Sequence, residues 1–204
     1  MTVFPDSDHG NPLIIARVIE EIQFTLSQGK KNCYFVELDP YFQKSINQFL
    51  SNRATYEDSF LKAWGEYTEK YGFKNAKNIL PKSLLTFLKE REISVYTADI
   101  SRQSQVGWQT IAIIKKMEAE RIKQGAYSPE TWNEYVHIMI AVRNEEISRN
   151  VISRIQNERC EQSYFLIGNA HTKSEIPRYE GSVVPVQDLL MQSGLLTQVG
   201  LKEP

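Results

Sequence analysis

Short apolar runs alternate with stretches of helical spacing along nearly the whole chain, and that alternation narrows the fold more than any other feature. Residues 32–38, 93–98 and 163–168 are each apolar on successive positions, as in strands covered on both faces. Thr2-Val3-Phe4 reads as a further strand that Pro5 and a cluster of Asp, Ser and Gly bring to an end. Strands separated by helices favour a mostly parallel central sheet with helices on its faces, in the α/β class. In such folds ligands sit beyond the carboxyl ends of the strands. The residues just after each strand are therefore where chemistry is expected.

The helices have their own punctuation. Asn11-Pro12 supplies an N-cap and a first-turn proline before Leu13, Ile14, Val18, Ile19, Ile22 and Leu26, which recur at helical spacing, and Gly29 closes that pattern. Asp39-Pro40 opens another helix with Phe42, Ile46, Phe49 and Leu50 inward. Thr55 and Asp58 resemble a capping pair. Tyr56, Phe60, Trp64, Tyr67 and Tyr71 follow as an aromatic stripe, read either as a core face or as a lid over a ligand, with Gly72 at its end. Residues 83–91 continue as helix. A long helical hairpin then spans about 103–158, turning at Gly125 and restarting at Ser128-Pro129, before the strand that carries the second histidine motif. Residues 182–184 are expected to form a fifth strand, and 187–192 a short last helix.

With 204 residues, one domain over 1–204 is expected, and a formal net charge of −1 with no basic cluster argues against a nucleic-acid partner. No apolar run approaches the ~20 residues of a membrane span. The first residues are acidic and polar where a secretory signal has a basic start and an apolar core. The expectation is a soluble protein, cytoplasmic or exported by a route that leaves no Sec-type signal. Cys33 and Cys160 each lie in or beside a strand candidate, which suits buried free thiols better than a staple.

The candidate site follows from the strand exits. Asp6, Asp8 and His9 follow the first strand; Glu37 and Asp39 close the second; Asp99, Ser101 and Arg102 follow the third; His171 follows the fourth through Gly168, which would let the backbone turn sharply. A rim histidine can take or give a proton near neutral pH, and nearby carboxylates fix its tautomer and hold its charged form. His9, with Asp6 and Asp8 beside it, is the better candidate general base. Glu37 ends an apolar strand and needs a partner, for which a histidine, Arg143 or a metal would serve. Asp8, Asp39, Asp99 and Arg102 are the candidates for holding substrate. His137 reads as a packing residue inside a helix. There is no metal-ligand pair at helical spacing, no phosphate loop after the first strand and no Gly-x-Ser-x-Gly elbow.

Several motifs carry a resemblance. Asp6-Ser7-Asp8-His9-Gly10 resembles the Gly-Glu-x-x-His-Gly opening of erythromycin-esterase-like proteins, and the following Asn11-Pro12 resembles the ChaN-like haem-uptake members. Glu37-Leu38-Asp39-Pro40 and Asn47-Gln48-Phe49-Leu50 are similar to their second strand end and the helix after it. The stretch from Arg143 to Asn150 is similar to their Arg-Asp-x-x-Met-Ala-x-Asn helix, and Gly168-Asn169-Ala170-His171 to their second histidine motif. The same superfamily includes the TIKI and TraB proteins. The resemblance implies a parallel-sheet α/β fold in which His9 activates water, Asp6 stands for the family glutamate, and Glu37, Arg143 and His171 complete the site. The chain departs from the pattern at Asp6 and at Asn144, which stands where the motif has an acid.

The function expected from residues and resemblance together is a hydrolase-like enzyme acting on an ester, lactone or amide of a small-molecule substrate. The alternatives are a haem-binding protein of the ChaN-like kind and a catalytically degenerate effector or interaction protein on the same fold. Haem and a divalent metal are the cofactors such a site could take.

Overall fold

The computed structural model of the chain describes residues 1–6, 11–71, 79–195 and 198–199. Strands β1 (Thr2–Asp6), β2 (Asn32–Val36), β3 (Ser94–Thr97), β4 (Gln162–Gly168) and β5 (Gln198–Val199) form one sheet in the order β3-β2-β4-β1-β5, with every neighbouring pair parallel. The α/β class expected from the alternation of strands and helices is the one the chain adopts. Pro5 does not end β1. It pairs with Ile167 on the β4 side, while β5 reaches only Thr2 and Val3, so Pro5 sits where the strand has a neighbour on one side only. The fifth strand is Gln198–Val199 and not residues 182–184, which run as an irregular segment.

Strand alternation divides the core in two. Phe4, Tyr34, Val36, Val95, Tyr164 and Leu166 face one layer, made by helices α1 (Pro12–Thr25), α2 (Gln43–Leu50), α3 (Lys62–Tyr71) and α4 (Lys82–Glu90). Val3, Cys33, Phe35, Tyr96, Phe165 and Ile167 face the other, where Ile147, Val151 and Ile155 of α7 (Arg143–Glu158) and Val186 and Leu190 of α8 (Val186–Gln192) pack. The apolar runs of the sequence are the consequence: a strand covered on both faces has no solvent side to mark with polar residues. A π-helical turn, Glu57–Leu61, leads into α3. Of the aromatic stripe, Tyr56, Phe60, Trp64 and Tyr67 are buried in the first layer, so these residues form a core face.

The helical hairpin is α5 (Gln105–Gln124) against α6 (Pro129–Val136), with a π-helical turn (His137–Val142) joining α6 to α7. Gly125 turns the chain at φ 76°, and Ser128 caps the restart. Gly107 lets the start of α5 press against the loop after β3. A Cβ there would lie 2.3 Å from the Ser101 carbonyl oxygen.

The expectation of free thiols is overturned, because Cys33 and Cys160 form a disulfide across a sequence separation of 127. The reason is strand order. β2 lies next to β4 with Cys33 opposite Ser163, and Cys160 is just before β4 begins. Among the described residues no helix is long and apolar enough to cross a membrane.

Candidate functional site

The exits of β2 and β3 run together. Ala98 N–H donates to the Val36 carbonyl and Asp99 N–H to the Leu38 carbonyl, at 2.9 and 3.2 Å. This backbone pairing sets Glu37 and Asp99 side by side beyond the sheet edge. Cys33 and Phe35 face α7, and the alternation carries Glu37 to that same side. There α7 supplies the counter-charge immediately after its π turn, a feature that recurs at functional sites.

Arg143 is the hub. Its Nη2 lies 2.9 Å from both carboxylate oxygens of Asp99 and 3.0 Å from Glu37 Oε1, and its Nε is 3.2 Å from Asp99 Oδ1. Asp99 also accepts the Ile100 N–H at 2.7 Å. Asn150, one helical face along α7, donates to the carbonyls of Ala98 and Asp99 and fixes the β3 exit to the helix. Glu37 Oε2 accepts the Gly168 N–H at 2.7 Å, and its Oε1 lies 3.3 Å from His171 Nε2. His171 Nδ1 is 2.5 Å from Asn144 Oδ1. Asn144 Nδ2 in turn donates to the Val184 carbonyl at 2.8 Å and to the His171 carbonyl at 3.5 Å.

These groups are nearly out of water: the Arg143 and Glu37 side chains retain 8% and 10% of their exposure. Burial by itself would raise the Glu37 carboxyl, but the His171 ring, then Arg143 and the Gly168 N–H, outweigh it and hold it well below the usual carboxylate range. Burial opposes the Arg143 charge too, and Asp99 and Glu37 overcome it, so the guanidinium is held more firmly charged than usual.

Glu37, Asp99, Arg143 and His171 are thus brought together from four elements. Other candidates are placed elsewhere. Asp6 ends β1 opposite Gly168 but follows Phe4 onto the α1 side of the sheet, where the burial of the Tyr34 phenol, and then the Asp6 charge, push that phenol up. Asp39 and Arg102 belong to a second buried cluster. There Asp39 accepts the N–H groups of Tyr41 and Arg102, each at 2.8 Å, and the Tyr67 hydroxyl at 3.2 Å, while Arg102 Nε donates to the Tyr67 oxygen. A cleft of about 160 Å³ beside it is lined by Asp39, Tyr41, Tyr71, Ser101 and Gln103. Asp8, His9 and Gly72 lie outside the described residues. His137, expected to be packed, is exposed. Gly168 does not turn sharply: its φ of −53° is open to any residue, and what it contributes is its N–H.

Sequence reasoning passed over Asn144 except as a departure from a motif, and it is the residue that meets the ring. Among the described residues no group of three or more His, Cys, Asp or Glu side chains is arranged to hold a metal ion. Compared with family models, with curated proteins and with solved structures, the chain gives no match in any of the three.

Proposed function

We propose that the chain is a hydrolase-like enzyme whose site is the Glu37–Asp99–Arg143–His171 cluster, with His9 activating water against an ester, lactone or amide carbonyl. The observation that carries this reading is Glu37 held at once by Arg143 and His171 at the edge where parallel sheets take ligands. Burying two carboxylates with a guanidinium and an imidazole is costly, and apolar residues of similar size often serve stability as well or better. Perturbed charges gathered in that place point to chemistry. Arg143 and His171 are the groups suited to steady a developing oxyanion. His9 is three residues beyond Asp6, which pairs with the strand that ends in Gly168.

A panel of activated esters, lactones and anilides tests this. Turnover by the wild type should fall by about 10²–10⁴ in His9→Ala, with the circular dichroism of the fold unchanged. Undiminished turnover in that variant would remove His9 from its role.

One observation favours a second reading, an interaction protein on a catalytic fold: the carboxylate oxygens of the cluster already have protein partners. No turnover across the panel, with a partner recovered specifically by the wild type, would support it. The haem reading has Tyr41 and Tyr71 beside a cleft of about 160 Å³, and Tyr41 also lines one of about 450 Å³, within the roughly 300–1,000 Å³ usual for small-molecule and cofactor sites. A Soret band on adding haemin would support it, and no spectral change would count against it. The Cys33–Cys160 disulfide favours an oxidising compartment, and so the exported alternative over the cytoplasmic one.

A further inference from the structure

We propose that Asn144 is a positioning residue that fixes His171 with its hydrogen on Nδ1, leaving Nε2 as the nitrogen turned toward Glu37. The proposal deepens the hydrolase reading of the same site and rests on that reading for its purpose, though not for its test.

Asn144 has no exposed surface, so its amide must be satisfied by the protein. Its Nδ2 points at two carbonyl oxygens, those of Val184 and His171, neither of which can donate. Turning the amide over would set Oδ1 against those carbonyls, with no hydrogen between them. The orientation is therefore decided by bonding partners: Oδ1 faces the ring. An oxygen acceptor 2.5 Å from Nδ1 requires that Nδ1 carry the hydrogen. A neutral imidazole has only one N–H, and the bond made by one nitrogen sets the role of the other. Nε2 is then the lone-pair nitrogen of the neutral ring, 3.3 Å from Glu37 Oε1, and the donor to that oxygen when protonated.

The same geometry accounts for an amide at position 144. Glu37 just after β2 and Asp99 just after β3 already share a single guanidinium, that of Arg143 on α7. A third carboxylate beside them would face like charge, and it would have no hydrogen for the Val184 carbonyl. Asparagine supplies the acceptor without the charge. Through Val184 it also ties the 182–184 segment to the ring.

The test is the nitrogen NMR of the full-length protein labelled with ¹⁵N. The chain has three histidines, and His171 is assigned by the signal lost in His171→Gln. In the neutral ring of the wild type, Nδ1 should be the protonated nitrogen and Nε2 the bare one. Asn144→Ala should shift the ring toward the Nε2–H form that a free side chain prefers, and Asn144→Asp, which keeps an acceptor at that place, should restore Nδ1–H. A wild-type neutral ring in the Nε2–H form overturns the proposal, as does Nδ1–H persisting unchanged in Asn144→Ala. The wild-type spectrum alone decides if the alanine variant does not fold. Turnover enters neither outcome, so a failed hydrolase assay and a failed tautomer assignment are separate results.

Discussion

Two buried polar clusters stand next to each other at the carboxyl edge of the sheet, and they are built on different rules. In one, Asp39 is satisfied by two backbone N–H groups and a phenol, all within the loops that leave β2 and β3 and the helix that covers them. In the other, Asp99 and Glu37 meet Arg143 and His171, ionisable side chains delivered from α7 and the end of β4. Burial does not separate them, since Asp39 is 6% exposed and Asp99 7%. The kind of partner does. A carboxylate held by backbone N–H groups is a joint between loops. A carboxylate held by other titratable groups changes its surroundings when any one of them changes charge, and that is a property a reaction can use.

The sharpest way to break the comparison is Arg143→Ala. It leaves Asp99 and Glu37 buried together without their shared cation, and removing one partner of a buried ion pair typically costs about 3–5 kcal/mol. Urea unfolding of the variant should show a loss of that size. Arg143→Lys should recover part of it at best, because an ammonium cannot place two nitrogens on Asp99 as the guanidinium does. A loss below about 1 kcal/mol would mean that the cluster is solvated like a surface pair.

Much of this edge could be anticipated from the chain, and the rest could not for physical reasons. Apolar runs mark strands covered on both faces, so the α/β class and the acids at strand exits were legible. Strand order was not, because a parallel sheet leaves no trace of which strands are neighbours. That is why Cys33 and Cys160 looked like separate thiols, although β2 and β4 lie side by side. Nor does spacing say on which face a rim residue emerges, so Asp6 and Glu37 seemed to share a cleft and instead leave opposite sides of the sheet. Val183 and Val184 resembled a strand. Their segment is instead held by the side chain of Asn144, a contact across 40 residues that no local pattern announces.

A smaller effect separates the clusters by pH. The Glu37 carboxyl is depressed in the folded protein relative to its ordinary value of 4.5. Its stabilising contribution is therefore complete above that value and is lost as the pH falls toward the folded one. The loss should approach roughly 1.5–3 kcal/mol, the range for hydrogen bonds to a charged group. Urea midpoints measured downward from about pH 6 should fall less steeply in Glu37→Gln than in the wild type. Equal slopes would show that Glu37 gains nothing from its partners on folding.

The smallest effect belongs to the joint. Tyr67 bridges Asp39 and Arg102, and burial and the Asp39 charge both keep its phenol from ionising, so it acts at neutral pH only as a hydroxyl. Tyr67→Phe removes that hydroxyl and leaves the ring against Phe42 and Trp64. Asp39 retains both backbone N–H donors, so the loss should be that of an ordinary hydrogen bond, about 0.5–1.5 kcal/mol. The His171 nitrogen signals should not move, because Tyr67 bonds to Asp39 and Arg102 and not to the ring or to Asn144. If they do move, the two clusters are one network. Asp39 and Arg102 would then belong with the chemistry at Glu37, and the distinction between joint and site would have to be abandoned.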